Sequence, residues 1–456
     1  MAEVRQVDVV VIGAGPAGEV CAGRLGENGL DVTVVERELV GGECSYYACM
    51  PSKALLRPGD LVDEVRRVPG VVLANEPIAV PRALARRDEV IHDLDDSVQL
   101  PWLEERGVRL VRGAARLEGE RRVRVGEELL EARRAVVLAT GSGALLPPIP
   151  GLAEAAPWTN REVTTSKEVP GRLLVLGGGV VGVEMAQAWS AFGASVALVE
   201  ALPRLIAREE EFASEDMAEG LGAAGVELHM GVKATGVSRG EGGQVRLELE
   251  SGDALTGDQL LVAIGRRPHT ADLGVESVGL KPGDYVEVDD RLRADGRDWL
   301  YAIGDVNGRA QLTHAGKYQG RIAADVILGR DARAAADGPV SPRVIFTDPA
   351  VAAVGHTLAS AREAGLDVRA VDSPTGASAG ASFVGRDAPG TTRLVVDQER
   401  GVLAGATFTG PDVAEMLHAA TVALVGEVPI ERLVHAIPCF PTRSEVWLGL
   451  LDEYGV

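Results

Sequence analysis

Short apolar runs punctuated by glycine organise this chain. Val7, Val9, Val10, Val11 and Ile12 predict a buried strand that ends in Gly13-x-Gly15-x-x-Gly18. A helical stretch to Leu25 follows, and Val32-Thr33-Val34-Val35 predicts a second strand closing on Glu36. The pattern returns at residues 172–200, with a strand at Leu173–Leu176, glycines at Gly177, Gly179 and Gly182, and a strand at Val196–Val199 that ends in Glu200. From first glycine to glutamate is 23 positions in both copies. Such a unit aims a helix N-terminus and glycine-exposed amides at a pyrophosphate, and its acidic residue at ribose hydroxyls. One glycine motif alone is weak; two in full strand-turn-helix-strand context predict two nucleotide-binding units.

Between the units, Ala135–Leu138 predicts a strand ending at Ala139-Thr140-Gly141-Ser142, and Pro147-Pro148-Ile149-Pro150-Gly151 predicts a crossing to a new domain. After the second unit, Leu260–Ile264 predicts a strand ending at Gly265-Arg266-Arg267-Pro268, and Leu300–Ile303 leads into Gly304-Asp305. From about residue 340 the texture changes to alternating stretches, Val344-Ile345-Phe346 and Thr392–Val396, with an apolar helix near 412–425. The expected fold is α/β, with two Rossmann-like dinucleotide-binding domains plus a C-terminal α+β domain. The expected boundaries are 1–150 and 151–270 for the two units, 271–338 completing the first, and 339–456 for the C-terminal domain.

Composition narrows the partners. With 46 Lys+Arg against 67 Asp+Glu the net charge is −21, and such a surface repels nucleic-acid phosphate and anionic lipid. Glycine, at 56 of 456 residues, exceeds the usual share of ~7%, as repeated close backbone approaches require. No apolar run approaches the ~18 residues that span a bilayer. The N-terminal stretch Met1–Gln6 lacks the basic region of a secretory signal, and the apolar run after it passes straight into the glycine turn. With only four cysteines, a reducing cytoplasm is the expected compartment, and closely spaced cysteines there point to redox or metal chemistry.

Cys44 and Cys49 have that spacing. Pro51 suits the first turn of a helix, so Cys49 is expected at a helix N-terminus, where the dipole favours a thiolate. Lys53, four positions on, falls on the same face and adds a cation. Zinc would need a further ligand pair, whereas Cys21 and Cys439 stand alone and the histidines show no ligand spacing, so no metal site is expected. A reversible disulfide beside a redox cofactor explains more. Cys21, in the first helix, reads as a core residue.

These marks make the sequence resemble the pyridine nucleotide-disulfide oxidoreductases, the FAD flavoproteins that include lipoamide dehydrogenase, glutathione reductase and mercuric reductase. The resemblance spans nearly the whole chain. It rests on the first glycine unit with Glu36, Cys44-x4-Cys49 before Pro51-Ser52-Lys53, Ala139-Thr140-Gly141, the second glycine unit with Glu184, Gly265-Arg266-Arg267-Pro268, Ala302-Ile303-Gly304-Asp305 and Phe346-Thr347-Asp348-Pro349. It implies FAD on the first unit, with Glu36 on the adenosine ribose, Asp305 on the ribityl chain, and Gly42, Thr140, Gly141 and Gly304 around them. It implies a nicotinamide cofactor on the second unit with Glu200, Gly265 and Arg266; the carboxylate of Glu200 favours NADH, although Arg204 leaves NADPH possible. Cys49 would contact the flavin, Cys44 would face the substrate, and Lys53 would pair with Glu184. The C-terminal domain would form a homodimer.

One segment departs from the pattern. Disulfide-reducing members carry His-Pro-Thr-x-x-Glu near the C-terminus, with the histidine as acid/base for the other subunit and the glutamate orienting it. Here the segment is Phe440-Pro441-Thr442-Arg443-Ser444-Glu445. Glu445 is kept and the histidine is Phe; His435 and Cys439 are the nearest alternatives. Mercuric reductases carry an extra C-terminal cysteine pair and often an N-terminal metal-binding domain, which disfavours that activity for this sequence. The expectation is electron flow from NADH through flavin and Cys44–Cys49 to a small-molecule acceptor. A disulfide or thiol-type acceptor comes first, with a quinone, metal ion or dioxygen as the alternative. A silent flavin-binding module comes last, because Cys44, Cys49 and Lys53 are all present.

Overall fold

The structure is a computed structural model that describes every residue except 1–3, 74, 76, 77, 339, 340, 386, 387 and 389. Met1–Glu3 of the N-terminal stretch, and residue 339 at the expected domain boundary, lie outside the described residues. The chain folds as two compact units. The first comprises residues 1–51, 88–145 and 265–338, and the second residues 52–87, 146–264 and 339–456.

The glycine repeats form as their hydrophobic patterns predict. The first is β1 (Val4–Ile12), α1 (Pro16–Glu27) and β2 (Val32–Glu36); after α2 (Cys49–Arg67) comes the second, β3 (Arg172–Leu176), α3 (Val180–Ala191) and β4 (Ser195–Glu200). A further helix, α4 (Thr313–Ile327), lies in the first unit. In each repeat the two strands pair in parallel, Val9 opposite Val32 and Leu173 opposite Val196. The connecting helix supplies the crossover that parallel pairing needs.

The first unit is built on a seven-stranded sheet. Its order runs Val108–Arg112, β2, β1, Glu128–Leu138, Arg122–Val125 and Ala115–Leu117, with Leu300–Ala302 also paired to Glu128–Leu138. Val9, Val11, Val32, Val34 and Val137, all fully buried, form one face of its core with Leu25 and Cys21 of α1. Burial pushes the Cys21 thiol up to about 12, so Cys21 packs as an apolar residue.

The second unit carries a four-stranded parallel sheet in the order Glu227–Met230, β4, β3, Gln259–Val262. Its C-terminal part is a five-stranded antiparallel sheet, Arg343–Ile345, Ala350–Gly355, Val402–Gly410, Thr391–Asp397 and Val368–Pro374. The helix Val413–Val425 buries Val413, Leu417 and Ala420 in that sheet's core. Among the described residues, no helix is long and apolar enough to cross a membrane.

Two strands stop short of their apolar runs for physical reasons. The run Leu260–Ile264 leaves the ladder after Val262, because the chain there closes over the second glycine turn; a Cβ on Gly177 would lie 2.5 Å from the Ala263 carbonyl. The run Val344–Phe346 ends at Ile345, because the Phe346 amide donates to Glu184 instead of to a neighbouring strand. Residues 52–87, unremarkable in the pattern, group with the second unit.

Candidate active site

The two glycine turns are built alike, atom for atom. In the first, Glu36 accepts the Ala14 amide at 2.7 Å on one carboxylate oxygen and the Glu38 amide at 2.8 Å on the other. In the second, Glu200 accepts the Gly178 amide at 2.5 Å and the Leu202 amide at 2.7 Å. Each closing glutamate thus staples the turn that precedes its helix. The last glycine of each motif permits close packing, since a Cβ on Gly18 would lie 2.0 Å from the Gly13 carbonyl and one on Gly182 would lie 1.9 Å from that of Gly177.

The middle glycines face open space. A Cβ on Gly179 would meet nothing within 4 Å, and one on Gly15 would meet only the Gly42 Cα at 4.0 Å. Gly15 and Gly179 are also the N-caps of α1 and α3, and neither helix has a side-chain cap. Amides left without a cap beside open space are what a pyrophosphate needs. In the first turn the Thr140 hydroxyl, next to Gly141, is buried without a partner, an orphaned polar group beside the same cradle. Both turns therefore fit dinucleotides.

Around the first turn, residues far apart in sequence converge. Ser142 Oγ donates to Asp305 at 2.5 Å, and Arg266 donates to Ser142 Oγ at 2.7 Å and to its carbonyl at 2.6 Å. Arg266 also lies 3.6 Å from Asp305 and 3.8 Å from Glu43. The left-handed Gly304 gives its amide to Gln319 at 2.7 Å, which fixes the turn that presents Asp305.

Cys49 is the first residue of α2, and Cys44 lies in the short helix Gly42–Tyr46 just before it. The Cys44 thiol hydrogen-bonds Cys49, and that bond, then burial, pushes the Cys44 thiol up. Thr313, opening α4, sits with its Oγ1 3.2 Å from Cys49 Sγ and also hydrogen-bonds Cys44. Tyr46, whose ring is fully buried, is held well above the phenol range by desolvation, up to about 12.

Within the second unit, Lys53 Nζ donates to both oxygens of Glu184, at 2.7 and 3.0 Å, and lies 4.7 Å from the centre of the Phe346 ring. Glu184 is 3% exposed and takes the Phe346 amide at 3.0 Å as well. Arg204 donates to the Ala207 and Glu209 carbonyls of its own loop and to Ser214 of the helix that follows.

The C-terminal residues stand apart from these clusters in role. Glu445 accepts the Thr442 amide at 3.0 Å and the Gly380 amide at 3.1 Å, capping its own turn. Phe440 is 78% exposed and Ile437 83%, while Cys439 and His435 are exposed beside them. Sequence reasoning missed Ser142 and Thr313, whose roles rest on contacts with residues far away in the sequence.

Comparison with known proteins agrees with this geometry. The model for pyridine nucleotide-disulphide oxidoreductases matches residues 7–320, and that for the family's dimerisation domain matches residues 341–450. A dihydrolipoyl dehydrogenase of Haloferax volcanii is 32% identical over 452 residues, covering 96% of this chain and 94% of its own. A mercuric reductase of Staphylococcus aureus is 31% identical, over 96% of this chain and 80% of its own. The HOCl-induced flavoprotein disulfide reductase RclA from Escherichia coli superposes with a TM-score of 0.85 at 28% identity, covering 98% of this chain and 99% of that one, and it has also been solved as a Cu(II) complex. Twin stapled glycine turns, a thiol pair at a helix start and matches over almost the full length lead to one conclusion: the chain belongs to the pyridine nucleotide-disulphide oxidoreductase family, NAD(P)H-dependent flavoprotein oxidoreductases that carry FAD.

Proposed function

We propose that the protein is a homodimeric, cytoplasmic oxidoreductase that uses NADH and passes electrons through Cys44–Cys49 to a disulfide or thiol-type acceptor. The observation that carries this reading is the thiol pair itself, two sulfurs in hydrogen-bond contact at the start of a helix with Thr313 against them. FAD, when bound, supplies hydride acceptance from the nicotinamide and electron relay to the thiol pair. Gly13, Gly15, Gly18, Glu36, Gly42, Thr140, Gly141, Gly304 and Asp305 would hold it, and Gly177, Gly179, Gly182, Glu200, Gly265 and Arg266 are assigned to the nicotinamide cofactor.

The remaining roles belong to side chains. Lys53, fixed by the buried Glu184, offers a held positive charge. Glu200 would set a carboxylate against a 2′-phosphate, and Arg204, which donates to loop carbonyls, is held away from offsetting it. Cys49, at a helix N-terminus, is the thiolate member of the reduced pair, and Cys44 is the proton-bearing member that meets the acceptor. Exposed Ile437, Phe440, Val422 and Val425 in the dimerisation domain support a partner subunit covering them.

Phe440 favours a second reading. A phenylalanine cannot protonate a leaving thiolate, and an acceptor such as a metal ion or quinone does not ask it to; the Cu(II) complex of RclA and the mercuric reductase relative point the same way. Steady-state NADH oxidation against a panel of disulfides, quinones and Cu(II) separates the two. Turnover with quinone or Cu(II) and none with any disulfide overturns the disulfide assignment.

A further inference from the structure

Four consecutive charged residues, Arg208-Glu209-Glu210-Glu211, end the loop that follows β4, and a glutamate enters a protein interior only when it is paired. Glu209 and Glu210 are both buried, and both reach into the C-terminal sheet of the same unit. Glu209 is gripped at its two oxygens by Arg343 of the strand Arg343–Ile345, at 2.7 and 2.8 Å. Glu210 accepts from Arg393 of the strand Thr391–Asp397 at 2.9 Å and from the Leu358 amide at 2.7 Å, while Arg393 also donates to both oxygens of Asp372 at 2.7 Å. The helix Glu211–Ala223 continues the contact: the Arg393 guanidinium lies over the Phe212 ring at 5.0 Å, and Asp216 accepts from the Thr409 hydroxyl at 2.5 Å.

The other end of this loop shapes the second glycine turn. Glu200 takes the Gly178 amide, and the Gly178 carbonyl accepts the Ile206 amide at 2.8 Å. One further bond leads from there to the sheet, since the Glu209 amide donates to the Ile206 carbonyl at 2.9 Å. Ile206 has a φ of +41°, a region that a β-branched residue occupies only where its surroundings force it there. The loop is thus tied at both ends, to the glycine turn and to two arginines of the C-terminal sheet, with a strained residue between the ties.

We propose that Arg343 and Arg393 are positioning residues for the nicotinamide cofactor: by holding Glu209 and Glu210 they fix the loop that sets the Gly178 turn. The proposal rests on the reading of the second glycine unit as the site of that cofactor. Neither arginine touches the nucleotide in this account. Each acts through the loop, so that loosening the clamp lets Ile206 relax and the Gly178 carbonyl lose its donor, and the turn no longer presents its amides in a fixed direction. Removing an arginine alone would also strand a buried carboxylate and lower the local positive charge, so the informative variant removes both members of a pair and leaves the net charge unchanged.

The test compares Arg343→Met with the double variant Arg343→Met/Glu209→Gln in the FAD-loaded enzyme. Three quantities are read: the Kd of the oxidised protein for NAD+ by titration calorimetry, KM and kcat for NADH with ferricyanide as acceptor, and the thermal unfolding midpoint. Contacts that couple distant parts of a fold shift binding by roughly 2- to 30-fold. Arg343→Met should therefore weaken NAD+ binding and raise the KM for NADH by roughly 3- to 30-fold, with kcat within about twofold of native. The double variant should regain most of the lost midpoint, because no charge is stranded, yet keep the weakened NAD+ binding. Arg393→Met/Glu210→Gln should behave in the same way. A double variant that regains both the midpoint and the native Kd overturns the proposal, since the arginine then serves stability alone, and so does an Arg343→Met that loses midpoint but binds NAD+ as the native protein does. If Arg343→Met does not fold, the double variant carries the same comparison. Native holoenzyme that binds neither NAD+ nor NADP+ overturns the reading of the second unit and this proposal with it, whereas native binding matched by the double variants overturns this proposal alone.

Discussion

Replacing Lys53 with methionine isolates what the buried carboxylate of Glu184 requires. Glu184 is 3% exposed and is held by Lys53 at 2.7 Å and by the Phe346 amide at 3.0 Å. Removing one partner of a buried ion pair costs ~3–5 kcal/mol, because an uncompensated charge stays behind. Here Lys53 is itself 35% exposed, so water can reach part of the vacated space, and the Phe346 amide remains. The expected loss for Lys53→Met is therefore ~2–3 kcal/mol. Glu184→Gln keeps shape and an acceptor and leaves a lysine that water can solvate, for a loss of ~1 kcal/mol. The double variant removes both charges and should be more stable than Lys53→Met alone. Thermal unfolding of the holoprotein, followed by tryptophan fluorescence, reads this as a midpoint drop of about 4–12 °C for Lys53→Met, at about 2–4 °C per kcal/mol. A double variant no more stable than Lys53→Met would show that the loss comes from packing against Phe346 and not from a stranded charge.

The other expectations concern the thiols, the cofactor, the acceptor and a buried acid. The protein should purify yellow with FAD, and two-electron reduction should give a long-wavelength absorption band that Cys49→Ser abolishes; persistence of the band would move the flavin-facing role to another thiol. The kcat/KM for NADH should exceed that for NADPH, and an equal or reversed preference would remove Glu200 from the specificity argument. Turnover with lipoamide or glutathione disulfide should be slow, since a positioned acid contributes ~100- to 10,000-fold, and Phe440→His should raise it by about tenfold or more. Native rates typical of the family would instead mean that another group supplies the proton. Burial, then the neighbouring Asp348, raises the Asp60 carboxyl from 3.8 to about 7, so the folded state holds a proton that the unfolded chain releases; stability is lost as pH climbs through that window. Asp60→Asn should remove that decline, and parallel pH–stability curves for variant and native protein would contradict it.

The parts of the site that could be read from the sequence are those whose partners lie within one repeat. Glu36 and Glu200 were visible because turn, helix and strand fix their distance from the glycines, and each glutamate reaches an amide 22 residues back. Lys53 and Glu184 lie 131 residues apart, and only the family resemblance joined them before the fold did. Ser142 was legible as the end of a strand, but not as a bridge to Asp305, 163 positions away, since nothing local to Ser142 encodes that contact. Thr313 was invisible for a related reason, since it meets Cys49 across 264 positions. The strand ends at Val262 and Ile345 were misjudged where the chain packs against a glycine turn and where a backbone amide is claimed by a buried carboxylate.

The engagement of Arg204 bears on how this enzyme could evolve. A switch of nucleotide preference is often pictured as the loss of one acidic side chain, after which a nearby cation captures the extra phosphate. In this loop the nearby cation is already spent: its guanidinium ties together the carbonyls of Ala207 and Glu209 and the hydroxyl of Ser214. Recruiting it for a ligand would unfasten the segment that carries it, and losing Glu200 would unclasp the Gly178 amide at the same time. A change of preference here would therefore ask for a new basic residue and for a new acceptor for the Gly178 amide, because neither Arg204 nor Glu200 can be released without loosening this turn.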